Sequence, residues 1–264
     1  MNVYVLKEIK FELTFVINIY RKKTQRDTKT YKGTMDVVVN HYNNLPEEDR
    51  EILEHYTHEI DCDDWSTTPL LLSYEVINFI LKQRYMPRHR LGYTPELIRD
   101  KVLSQEDLQK QVANAKHMRE IISKFPSLPH DIIVYRGFLN KDVFFSKSTF
   151  LFEGDDITVP YFLSTSLNFD SASKFTNRNS QKCYWKIVIP KGFPVALLKS
   201  TIESVNAGME DEVLLNIGAI LQCVENTFFD NHCQMITFVL KGYSKIAATR
   251  GYWETIQEIA SDLL

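Results

Sequence analysis

The hydrophobic and polar positions change rhythm along the chain. In FELTFVINIY, Phe11, Leu13, Phe15, Ile17 and Ile19 recur with period two while Glu12, Thr14 and Asn18 take the alternate places, which predicts a half-buried strand. The polar run RKKTQRDTKTYKGT that follows reads as a solvated loop or linker. From LPEEDREILEHYTHEI to LQKQVANAKHMREIISKF the apolar positions recur at three and four, and acidic residues open the first segment, so helices are predicted. SYEVINFILKQ, Ser73 to Gln83, is one of them, with Val76, Ile77, Ile80 and Leu81 as its buried stripe. RYMPRHRLGYTPEL, with its prolines and glycine, is irregular.

After PSLPH the pattern shortens. DIIVYRGF, TVPYFLSTSL, KCYWKIVIP, VALL, EVLLNIGAILQCVENTF and CQMITFVLKGY are rich in β-branched and aromatic residues and predict strands. DSASKFTN interrupts them as a short helix, with Asp170 or Ser171 as its cap. GYWETIQEIASDLL, with Trp253, Ile256, Ile259 and Leu263 on one face, closes the chain as a helix. Helices first and strands afterwards, without regular alternation, predict an α+β fold.

Composition narrows the function. The 264 residues are 44% hydrophobic and support a genuine core, so disorder is not expected. Against 34 acidic residues stand 31 basic ones, a net charge of −3, so no global field attracts nucleic acid or anionic lipid, and an anionic ligand must be held locally. The four cysteines, Cys62, Cys183, Cys223 and Cys233, form no CxxC pair and fit free thiols of a reducing compartment. Lys7, Glu8, Lys10 and Glu12 interrupt the apolar N-terminal stretch, which argues against a secretory signal or membrane span and for a cytoplasmic site of action. The dinucleotide GxGxxG, the triphosphate GxxxxGK[ST], the HExxH and the GxSxG signatures do not occur. His55, His58 and Cys62 share helical spacing, but a structural zinc site draws on two separated segments and no second cluster exists, so no metal is expected.

Three strand-region pieces carry the chemistry: Arg136 and Gly137 in VYRGF, Ser164, Thr165 and Ser166 in YFLSTSL, and Glu210 and Glu212 in MEDEVLL. Each alone is ordinary at a strand end. Their order, Arg, then Ser-Thr-Ser, then Glu-x-Glu, resembles the mono-ADP-ribosyltransferases of the clostridial binary-toxin type, the Arg-Ser-Glu class. SYEVINFIL also looks like the family helix carrying Tyr and Asn four apart, here Tyr74 and Asn78, and Phe175 stands where the family has an aromatic that packs on nicotinamide. The resemblance covers approximately Asn40 to Tyr243; Tyr161 departs from it, standing where the family often has Asn.

The resemblance implies a helical half packed on a split, two-sheet β core with NAD in the cleft between the sheets. It divides the chain into an N-terminal strand or hairpin extension (1–33), a catalytic domain (34–245) and a C-terminal helix (246–264). It implies NAD as substrate, no metal, and a target protein carrying an acceptor arginine as partner, with no role for nucleic acid or membrane. For a viral protein or an injected effector, the place of action would be the host-cell cytoplasm. Catalysis falls to Arg136, Ser164, Glu210 and Glu212, and NAD binding to Tyr74, Asn78, Arg136, Gly137, Ser164, Thr165, Ser166 and Phe175. The alternative is a relative of this fold that binds NAD or a protein without turnover.

The chemistry fits these residue types. A planar guanidinium grips a pyrophosphate through paired hydrogen bonds. Loss of nicotinamide leaves a ribosyl cation that a fixed carboxylate, by the resemblance Glu212, would stabilise. Ser164 would hold that carboxylate in place. Gly137, lacking a side chain, would let the backbone approach the nicotinamide amide. Glu210 would bind the incoming guanidinium and take its proton, while Asp211 would point away. The division of labour that the resemblance implies would explain three adjacent acids beside an apolar strand.

Overall fold

The computed structural model describes residues 35–56, 73–84, 98, 103–138, 151–174, 176, 182–199, 211–230 and 233–263. The N-terminal strand expected at Phe11–Ile19 therefore lies outside the described residues, as do His58 and Cys62 of the histidine and cysteine cluster. His55 of that cluster is described, with its Nε2 3.4 Å from Gln111 Nε2.

Helices dominate the first half. They are α1 (35–43), α2 (Glu47–His55), α3 (Ser73–Gln83) and α4 (Gln105–Ser123). α3 has the bounds its periodicity predicts, and Val76, Ile77, Ile80 and Leu81 are all buried. α4 starts at a capping box: Ser104 Oγ accepts the Asp107 amide at 3.1 Å, and the Asp107 carboxylate accepts the Ser104 amide at 2.8 Å. α4 packs against α2, α3 and the closing helix α6 (Arg250–Ser261), which buries Trp253 and Ile256 as expected, with Ile259 and Leu263 packed at the margin. Thr249 caps α6, and Trp253 Nε1 donates to Ala247 O at 2.9 Å. Among the described residues no helix is long and apolar enough to cross a membrane.

The second half supplies β1 (Ile132–Phe138), β2 (Asp156–Val159), β3 (Leu163–Ser166), a short helix α5 (Phe169–Lys174), β4 (Lys182–Ile189), β5 (Ala196–Lys199), β6 (Asp211–Leu215), β7 (Ala219–Asp230) and β8 (Cys233–Tyr243). The strands form an eight-stranded sheet in the order β2-β7-β8-β4-β1-β3-β6-β5, with β4 and β8 parallel and the other pairs antiparallel. Together with the helices this makes the α+β fold that the sequence pattern implies.

The sheet is nearly divided. β1 pairs with β4 over its whole length but touches β3 through the single pair Tyr135↔Ser166. Two blocks, β2-β7-β8-β4-β1 and β3-β6-β5, are thus hinged at one point of the ladder, which is the split expected between two sheets. A single apolar cluster, including Leu53, Ile80, Phe162, Trp185 and Leu214, joins helices to both blocks.

Three local expectations are corrected. TVPYFLSTSL is two strands: Pro160 has no amide to donate, and β2 and β3 go to distant places in the sheet. EVLLNIGAILQCVENTF is also two strands, β6 and β7, parted by a turn in which Gly218 adopts φ 81°, open to glycine at no steric cost. The cap of α5 is neither Asp170 nor Ser171 but Asn168, whose Oδ1 accepts the Asp170 amide at 2.8 Å; Asp170 and Ser171 lie inside the first turn.

Candidate active site

The narrow junction between the two blocks is where Arg136, Ser164, Ser166 and Glu212 come together. Arg136 follows Tyr135, the β1 residue that makes the one link to β3. Its guanidinium crosses the gap, and Nη1 donates to Ser164 O at 2.6 Å. The guanidinium carbon also lies 5.3 Å from the centre of the Phe138 ring, which holds the planar group from one side. Arg136 Nε is buried and has no partner among the described residues. A buried cationic donor left unmatched is costly, so this geometry suits a bound anion.

Strand register brings Glu212 to the same place. β3 and β6 pair Ser166 with Glu212, Thr165 with Val213 and Ser164 with Leu214. Directly opposed residues share a face, so Ser166 is the cross-strand neighbour of Glu212, and Ser164 stands one pleat further along on that face. Thr165 is turned to the other side of β3, is buried, and gives its hydroxyl to Val213 O at 2.6 Å, so that group serves the ladder. Ser166 Oγ accepts the Asn168 amide at 3.0 Å and so ties β3 to the start of α5.

Gly137 is required for a reason the sequence does not reveal. A Cβ at this position would sit 2.3 Å from Ala172 O and 2.9 Å from Thr176 Cγ2. Helix α5 lies directly on the strand there, and Phe169 packs its ring against Tyr135 at 5.5 Å and Tyr184 at 5.1 Å.

The helical half contributes Tyr74 and Asn78. Asn78 is buried; its Nδ2 donates to Tyr56 Oη at 2.9 Å and to Phe162 O at 3.4 Å, and its Oδ1 is buried without a partner. The Tyr74 ring packs 5.8 Å from the ring of Tyr56. Tyr56 itself escaped the sequence reading. Burial pushes its phenol well above the usual tyrosine range, the Glu212 carboxylate pushes it further, and the Asn78 hydrogen bond and the Arg136 guanidinium oppose the shift. Its bond to Asn78 and its ring contact with Phe162 place the end of α2 beside α3 and the start of β3. No local sequence signal marks Tyr56, because its partners Asn78 and Phe162 are 22 and 106 residues away.

Tyr161, the departure from the resembled pattern, is a buried core residue with the Lys82 ammonium 4.3 Å from its ring centre. Glu210 and Phe175 lie outside the described residues. Among the described residues no group of three or more His, Cys, Asp or Glu side chains gathers as metal ligands.

Comparison with known proteins matches this arrangement to a class. The ADP-ribosyltransferase exoenzyme family model matches residues 95–241, more than half of the chain, and the chain belongs to that family. Among solved structures, C3stau2 from S. aureus with NAD aligns with a TM-score of 0.52 and 18% identity over 83% of this chain and 97% of that one. The Vis toxin, an ADP-ribosyltransferase from Vibrio splendidus, aligns at 0.50 and 16% identity over 84% and 86% of the two chains. Vis in complex with agmatine aligns at 0.51 and 17% identity over 83% and 86%. No curated protein sequence matches this one. At these identities the structural likeness establishes the fold, the toxin-like α+β architecture expected from the motifs.

Proposed function

We propose that this chain transfers ADP-ribose from NAD to an arginine side chain of a protein, releasing nicotinamide, and hydrolyses NAD when water takes the acceptor's place. The observation that carries the proposal is the guanidinium of Arg136 reaching Ser164 across the one-pair junction, with Glu212 opposite Ser166 on the adjoining strand. Membership of the exoenzyme family supports NAD as the donor.

Arg136 holds the pyrophosphate, its unmatched Nε supplying a hydrogen bond in addition to charge. Asn78 offers Oδ1 to a hydroxyl or amide donor of the nucleotide. The bond between ribose C1′ and the nicotinamide nitrogen breaks, its electron pair leaves with nicotinamide, and positive charge develops on the ribose ring. Glu212 accepts a hydrogen bond from a ribose hydroxyl and stabilises that charge, and Ser164 and Ser166 hold the strand face on which it stands. Phe175, by the family resemblance, packs on the nicotinamide.

An arginine acceptor is a cation at neutral pH and becomes a nucleophile only as it gives up a proton. Glu210, two residues before Glu212, binds the guanidinium and receives that proton as the new C1′–N bond forms. Agmatine, bound by the structural relative Vis, carries the same guanidinium group and is a suitable model acceptor.

The test is nicotinamide release from NAD by the purified chain, with and without agmatine, beside Glu212→Gln. Removing one charge-stabilising group of this kind costs about 10²–10³ in rate, so the variant should fall by that much. Release by the native chain that does not exceed the variant's ends the proposal. Transfer to water that agmatine leaves unchanged removes arginine as the acceptor.

A further inference from the structure

Resting on the NAD reading above, we infer that Tyr56 is a positioning residue of the nucleotide site: it holds Asn78 and Tyr74 in the orientation in which they meet the ligand. Tyr56 stands at the C-terminal end of α2, and 1% of its surface is exposed. Three separate contacts tie it to α3. Its backbone oxygen accepts the Tyr74 amide at 3.0 Å, its hydroxyl accepts Asn78 Nδ2 at 2.9 Å, and its ring packs on Tyr74. A fourth reaches the sheet: the hydroxyl faces Phe162 O at 3.4 Å, immediately before β3 begins, and the ring lies edge-on to Phe162 at 5.7 Å.

The consequence for Asn78 follows from donor and acceptor identity. A carbonyl oxygen can only accept, so the end of the Asn78 amide facing Phe162 O must be the NH₂. The phenol, giving its own hydrogen toward Phe162 O, is left as an acceptor for the same NH₂. Both neighbours therefore select one orientation of the amide, and Oδ1 is turned away from them, buried and unmatched. Without the phenol oxygen the stronger of those two bonds is gone, and the amide can rotate to present NH₂ where an acceptor is needed. Tyr56 acts through Asn78 and need not touch NAD.

The experiment is a double-mutant cycle on NAD binding by the full chain, read by fluorescence titration, with Tyr56→Phe, Asn78→Leu and the double variant, each checked for folding by thermal melting. Loss of a well-placed buried hydrogen bond corresponds to about a tenfold weakening. Tyr56→Phe should raise the NAD dissociation constant about tenfold, and should raise KM for nicotinamide release more than it lowers kcat. The double variant should bind as Asn78→Leu does, because the only bond to α3 that Tyr56→Phe removes is the one to Asn78, while the backbone and ring contacts with Tyr74 remain. The titrations are run at a temperature below the melting onset of all four proteins, with an osmolyte present where Tyr56→Phe needs it; there, equal affinities of the double variant and Asn78→Leu support the inference, and a further loss in the double variant overturns it. Native chain that takes up no NAD overturns both the proposed function and this inference. Native chain that binds NAD, with Tyr56→Phe within twofold of it or with the two effects multiplying, overturns the inference alone.

Discussion

Replacing Gly137 by alanine tests the packing account of the junction. The added Cβ would meet Ala172 O at 2.3 Å and Thr176 Cγ2 at 2.9 Å, roughly 1 Å short of ordinary van der Waals separation at the first contact. The first contact is with helix backbone, so rotating a side chain cannot relieve it. α5 cannot retreat cheaply either, since Asn168 caps it and Phe169 is wedged against Tyr135 and Tyr184. Overpacking of this kind costs about 1–3 kcal/mol, and a backbone clash belongs at the upper end. At about 2–4 °C per kcal/mol for a chain of this size, Tm should fall by roughly 6–12 °C. Differential scanning fluorimetry measures it. Adding Thr176→Ala should recover little, because it removes only the lesser overlap. A Gly137→Ala chain that melts within about 1 °C of the native one would refute the reasoning, for at that scale no real clash remains.

Two further outcomes are expected. Ser104→Ala removes the cap of α4 and should cost about 1 kcal/mol at neutral pH. The Ser104 bonds hold the Asp107 carboxyl below its usual range, so their contribution is present above the unfolded carboxylate value of about 3.9 and is lost as pH falls through the lower folded value. The gap between urea melts of native and variant should therefore narrow in acid, leaving the share of the Asp107 amide bond to Ser104 Oγ; a gap that widens there contradicts the assignment. Burial pushes the Cys223 thiol up, and its side chain is fully enclosed, so iodoacetamide at pH 8 should label Cys183 and Cys233 before it, as peptide mapping would report. Equal labelling of Cys223 in folded protein sinks that expectation.

Local pattern carried the sequence reading where structure is locally determined. α3 was legible because four apolar residues fall on one helical stripe and a short segment decides them. The family order of Arg, Ser-Thr-Ser and Glu-x-Glu was legible because each piece is a short run of neighbouring residues, and the fold it implies is the one found. What remained hidden depends on register and tertiary contact. Nothing in YFLSTSL says that Ser166, and not Ser164, opposes Glu212, because that follows from which residues of β3 and β6 pair. Gly137 drew attention as a place for backbone to approach nicotinamide, whereas the contact seen is with a helix thirty-odd residues later, which its own strand cannot announce. Tyr56 was missed because a tyrosine at a helix end has no distinguishing neighbours in sequence.

The near-division of the sheet also bears on synthesis. The chain passes from β1 and β2 to β3, back to β4, across again to β5 and β6, and returns for β7 and β8. Neither block is a continuous stretch of chain, so cutting between them releases no self-sufficient piece. β8 lies between β7 and β4, which leaves β4 with a bare edge until Cys233–Tyr243 has been made. Translation must therefore run through all eight strands before the larger block can close, so its folding follows synthesis of β8 and cannot keep pace with the strands as they emerge.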